Sequence, residues 1–91
     1  MEPIRNIIRK TREEEVKSKI EDLESNLFVE GYLVEFGKIG KKTTYALIYN
    51  EDHSIEYVGY TFIKNLGYYN ENTGKLKALQ QAIARMENLS E

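Results

Sequence analysis

Two stretches of this chain repeat apolar residues at helical spacing, and three stretches between them alternate at strand spacing. The first helical stretch runs from Glu2 to Phe28, where Val16, Ile20, Leu23 and Leu27 recur at steps of four, three and four and form one apolar stripe. Ile4, Ile7 and Ile8 form an earlier stripe, and Pro3 suits a first helical turn, where a missing N–H costs nothing. Residues 11–15, TREEE, are polar all round. Two readings of the junction stand: one helix runs through, or Thr11 caps a new helix with Glu14 three residues on, a capping box. The main helix is expected over about 11–28, with residues 1–10 as an N-terminal helical extension. Gly31 supplies the stop.

Tyr32-Leu33-Val34-Glu35-Phe36 then alternates as a strand, with Tyr32, Val34 and Phe36 on one face. GKIGKK, 37–42, reads as a hairpin loop, TTYALIYN, 43–50, as a second strand, and SIEYVGYTFI, 54–63, as a third after a turn at 50–53. Tyr45 and Leu47 share one face of the second strand, and Val58, Tyr60 and Phe62 one face of the third. These two sets are the expected core side. Alternation then leaves Tyr57 on the open side, together with Tyr49 or Tyr45. A polar connector, 64–74, leads to a closing helix over about 71–89, marked by Leu76, Leu79, Ile83 and Met86, with Asn70 or Asn72 as its N-cap. The expectation is one α+β domain spanning 1–91. It is ordered α-β-β-β-α, with a three-stranded antiparallel sheet packed on two helices.

Composition narrows the function classes. The chain has 91 residues, 41% hydrophobic and 31% charged, which is ordinary for one globular domain. It contains no cysteine, so disulfides, thiolate metal sites and thiol catalysis are excluded. No apolar run has the length of a membrane span, so no membrane partner and a cytoplasmic location are expected. A net charge of −2 argues against a generally basic nucleic-acid binder.

Candidate chemistry is sparse. His53 is the single histidine and sits in a turn beside Glu51 and Asp52, with no second histidine to complete a zinc site. No serine stands in a nucleophile-elbow context, and the paired acids Glu51–Asp52 and Glu21–Asp22 read as solvated surface. No catalytic residue, metal or cofactor is therefore expected. Seven tyrosines, with no tryptophan and three phenylalanines, are the unusual feature. Tyrosine joins apolar area to a hydroxyl and loses few rotamers on ordering, which suits contact surfaces. Lysines cluster at Lys38, Lys41 and Lys42 and again at Lys75 and Lys77. The expected partner-binding surface is Tyr49 and Tyr57 on the open sheet face, with Lys41, Lys42 and Lys75 around it.

Two resemblances add to this reading. The order α-β-β-β-α over residues 11–89 resembles the double-stranded RNA-binding domain, which implies RNA contact through the first helix, the loop between the first two strands (here GKIGKK) and the lysines opening the second helix, here Lys75 and Lys77. The stretch Tyr69-Asn70-Glu71-Asn72-Thr73-Gly74-Lys75-Leu76-Lys77-Ala78-Leu79-Gln80-Gln81-Ala82 resembles the close of many small phage-encoded proteins: a strand pair, then Phe-Asn (here Tyr-Asn), three residues, Gly-Lys or Gly-Arg, and an Ala-Leu-x-x-Ala helix. Proteins of that kind, the anti-CRISPR and other anti-defence inhibitors among them, act by binding host machinery. The function expected from the resemblance is non-catalytic inhibition of a host defence effector, such as a CRISPR nuclease, by protein–protein contact. The alternative is a nucleic-acid-binding module.

Overall fold

Between Pro3 and Gly31 the sequence contains no helix breaker, and in the computed structural model one helix, α1, fills the interval as Pro3–Val29. The structure describes residues 3–62 and 71–89, with side chains over 13–62 and 71–88. The junction at Thr11 is thus continuous helix, and no new cap forms there. Within it Glu13 stands four residues before Lys17 and Glu15 four before Lys19, the favourable order for helical ion pairs. The stripe Ile4, Ile7 and Ile8 lies outside the described side chains. Ile20 and Leu27 are buried and Val16 and Leu23 half-buried, so the later stripe is the packing face. The helix ends where Gly31 adopts φ 93° and its N–H bonds to the carbonyl of Phe28 at 3.0 Å.

Three antiparallel strands follow, β1 (Tyr32–Ile39), β2 (Thr43–Asn50) and β3 (Glu56–Phe62), in the spatial order β1-β2-β3. Helix α2, Glu71–Leu89, closes the chain and packs with α1 on one face of the sheet, giving the α+β order α-β-β-β-α. β1 runs three residues further than the alternation suggested. Lys38 and Ile39 still pair with Thr44 and Thr43, and Gly40, at φ 67°, makes the turn. Asn72 falls within the first turn of α2 rather than at its cap. Asn70, Tyr68 and Tyr69 lie outside the described residues.

Which sheet face meets the helices corrects the sequence reading. The covered face carries Tyr32, Val34 and Phe36 of β1, Thr44, Ala46 and Ile48 of β2, and Tyr57, Gly59 and Thr61 of β3. Ala46 and Ile48 are fully buried in one core with Leu27, Ala78, Leu79 and Ala82, and Tyr57 packs against it. Tyr45, Leu47, Val58, Tyr60 and Phe62, expected inside, point the other way, and Tyr57, expected outside, points in. The cause is steric. Ala46 and Gly59 are paired directly across β2 and β3; the backbone of α2 rests on Gly59 at Ala78 and Ala82, and Ala46 shares their buried core. A Cβ added at position 59 would overlap the carbonyl oxygen of Ala78 and stand 2.6 Å from the amide nitrogen of Ala82. The face that buries best is the one that lets the helix approach closely, and here that is the small-residue face.

Helix α2 also closes one edge of the sheet. The N–H of Tyr60 donates to Gln81 Oε1 at 2.7 Å, and Arg85 Nη1 donates to the carbonyl of Val58 at 2.7 Å. Two outward-facing groups of an edge strand are thereby paired within the chain, which protects that edge from association.

Candidate functional site

With both helices on one side, the opposite face of the sheet has no cover from the described residues. Register places its side chains in four rows: Leu33–Tyr49–Glu56, Glu35–Leu47–Val58, Gly37–Tyr45–Tyr60 and Ile39–Thr43–Phe62. Most of these are large and apolar or aromatic. Phe62 is 73% exposed, Ile39 56%, Tyr60 38% and Leu33 37%. Tyr45, Leu47, Tyr49 and Val58 are half-buried, because neighbours along and across the strands shield them partly.

Local chemistry fixes several of these side chains. Tyr45 lies across its cross-strand partner Gly37, occupying the space a side chain there would take, so its ring is braced against β1. Tyr60 has the Arg85 guanidinium 6.0 Å from its ring centre. Tyr49 stacks on His53, with ring centres 4.4 Å apart and planes 7° from parallel. His53 reaches that position because it takes the left-handed conformation, φ 57°, and its Nδ1 lies 3.0 Å from Glu56 Oε1. The turn below is tied by Asn50, whose Oδ1 accepts from the N–H of Ile55 at 3.0 Å and whose Nδ2 donates to Ser54 Oγ at 2.8 Å. The Ser54 hydroxyl and then its N–H hold the Asp52 carboxyl below the usual carboxylate range.

The expected binding residues are not brought together. Tyr49 is on the open face, while Tyr57 is on the covered one. Lys41 and Lys42 are exposed in the β1–β2 turn, at the far end of β2 from Tyr49, six residues or ~20 Å along the strand. Lys75 belongs to the helical layer, its Nζ 5.6 Å from the ring centre of Phe36. Both Lys38 and Lys75 come within 4.0 Å of Glu71 Oε1, so the end of β1 does adjoin the start of α2. These pairs are solvent-exposed and contribute little to stability.

The residues that sequence reasoning missed as surface are Tyr45, Leu47, Val58, Tyr60 and Phe62. The alternation groups them as the core sets, whereas the informative signal was a glycine and an alanine at the centres of adjacent strands. No group of three His, Cys, Asp or Glu able to hold a metal ion occurs among the described residues, and none of the described helices is long and apolar enough to cross a membrane. No protein family, curated protein or solved structure matches the chain.

Proposed function

We propose that this chain is a non-catalytic binding protein that recognises a protein partner through the open face of its sheet. The observation that supports it is the make-up of that face. Its described strand positions present aromatic and aliphatic side chains from three strands and include Glu35 and Glu56 but no lysine or arginine, with Arg85 of α2 reaching the ring of Tyr60 at the margin. Apolar area with aromatic anchors suits a protein interface. The same face suits a polyanion poorly, since stacking platforms for nucleic acid are set in positive grooves. The finer reading, an inhibitor of a host defence effector of the kind phages encode, is supported only by the resemblance of Tyr69–Ala82.

Affinity capture from a bacterial lysate tests the proposal. The wild-type chain should retain a defined protein that a Tyr60→Ala/Phe62→Ser variant of equal thermal stability releases. A partner held equally by both chains contradicts the assignment of the face.

A nucleic-acid reading keeps one supporting observation, the convergence of Lys38 and Lys75 at the start of α2. Glu71 stands between them and offsets part of their charge. A mobility shift with duplex RNA at two salt concentrations decides this reading, because phosphate contacts predict steep weakening with salt.

A further inference from the structure

Glu35 has no partner among the described residues: no hydrogen bond or ion pair engages its carboxylate. It is exposed, and register sets it between Leu33 and Gly37 along β1 and beside Leu47 of β2. Glu56, the other acid at the strand positions of the open face, already has His53 Nδ1 at 3.0 Å. No described element turns a cation toward Glu35. Lys38 projects to the covered side, where its Nζ lies 4.0 Å from Glu71 Oε1. Lys41 and Lys42 stand in the turn beyond Ile39, which is itself ~13 Å further along β1. Arg85 reaches only the β3 margin, two strand spacings or ~10 Å from β1, and it bonds the carbonyl of Val58.

An aromatic ring is fixed beside this carboxylate. Tyr45 crosses Gly37 and occupies the space of a side chain there, so its ring is held against β1. Gly37 and Glu35 share the open face of β1 and stand ~7 Å apart. One side of the Tyr45 ring rests on the strand, and no described layer covers the other. An apolar partner that closed over this region would bury a lone carboxylate, which costs several kcal/mol unless a cation meets it. A guanidinium fits both neighbours. It lies flat on an aromatic ring, bonds a carboxylate through its fork and is more weakly hydrated than an ammonium group.

On the reading that the open face is the binding surface, we propose that its partner is a protein segment carrying an arginine among apolar side chains, with the guanidinium seated on Tyr45 and paired with Glu35. Charge selects this occupant over others. A second copy packed face to face would bring Glu35 and Glu56 into an apolar interface with no cation between them, and a polyanion would meet the same two carboxylates.

Selection from a displayed library of random peptides on the immobilised full-length chain tests this. Retained sequences should be enriched in arginine flanked by aromatic or aliphatic residues. Replacing that arginine by citrulline, its neutral isostere, should weaken a selected peptide roughly tenfold on the wild type and make no difference on Glu35→Gln. Tyr45→Phe should bind as the wild type does, because the ring and not the hydroxyl meets the cation, whereas Tyr45→Leu should lose the preference for arginine. Tyr60→Ala/Phe62→Ser should release the selected peptides. A peptide which that variant retains lies off the face and contradicts the open-face reading itself, and this site with it. A peptide that needs Tyr60 and Phe62 but carries no cation, or that Glu35→Gln holds equally well, leaves the open face standing and overturns the arginine site. A library that yields no enrichment overturns it too. So does a sedimenting mass above 10.6 kDa that returns to the single-chain value in Tyr60→Ala/Phe62→Ser, which would make a second copy the occupant.

Discussion

Gly59 lies directly beneath the backbone of Ala78, so close that a methyl group has no room between strand and helix. The whole arrangement of the sheet follows from that contact. Gly59→Ala must push α2 away from β3, opening the core around Ala46, Ala78 and Ala82. We expect a loss of about 1–3 kcal/mol, the usual range for overpacking, or roughly 5–20 °C in Tm for a domain of this size. Thermal denaturation followed by circular dichroism measures it; an unchanged Tm would place the helix elsewhere.

Tyr57 and Tyr60 lie on the same strand and face opposite ways. Tyr57→Ala removes a ring packed on the core beside Ile48 and should cost about 2–3 kcal/mol. Tyr60→Ala removes a ring from the open face and should stay within about 1 kcal/mol of wild type. Urea titration of the two variants orders them, and equal losses would show that both faces are covered.

Gln81 and Arg85 hold the outer edge of β3 from outside. Replacing Gln81 by Ala leaves the N–H of Tyr60 without its 2.7 Å acceptor. The local loss should be about 1 kcal/mol, or a roughly fivefold rise in the exchange rate of that amide. Hydrogen exchange resolved by residue reads this directly; amides of the β1–β2 ladder should not change.

Asp52 gives the turn a dependence on acid. Its carboxyl is held below the ordinary range by Ser54, so the folded state binds its proton less readily than the unfolded chain does. The stabilisation is complete above the ordinary carboxylate range near ~4 and is lost as pH falls through the lowered folded value. Asp52→Ala should therefore lower Tm at neutral pH, and the gap to wild type should narrow on acidification. A gap that stays constant down to acid pH would mean that Ser54 does not favour the ionised form.

How much of this was legible in the sequence varies by element. The bounds of α2 and β2 follow from Leu76, Leu79, Ile83 and Met86 and from the β-rich run 43–50, because each signal is long and unbroken. The faces of β2 and β3 do not follow from alternation. Positions 45–48 of β2 are apolar on both sides, so period two defines two sets of side chains without choosing between them. Size then misleads: Tyr60 and Phe62 are larger than Gly59, yet a helix backbone can settle only on the glycine. The small residues Ala46, Gly59, Ala78 and Ala82 contain the answer, but only once the strand register and the helix are placed against each other. The candidate site inherited the inverted face. Tyr49 keeps its place on the open side, Tyr57 does not, and the lysines divide between the hairpin turn and the helical layer.

The central claim is that the helices cover the small-residue face and leave the bulkier apolar face open. Leu47 and Ile48 are neighbours on the middle strand and point to opposite faces, so urea denaturation of Leu47→Ala and Ile48→Ala tests the claim most directly. Ile48 is fully buried, and its truncation should cost about 2–5 kcal/mol, while Leu47→Ala should cost less than about 1.5 kcal/mol. The reverse order, with Leu47 the costlier residue, would contradict the assignment of the faces and remove the open sheet as the binding surface.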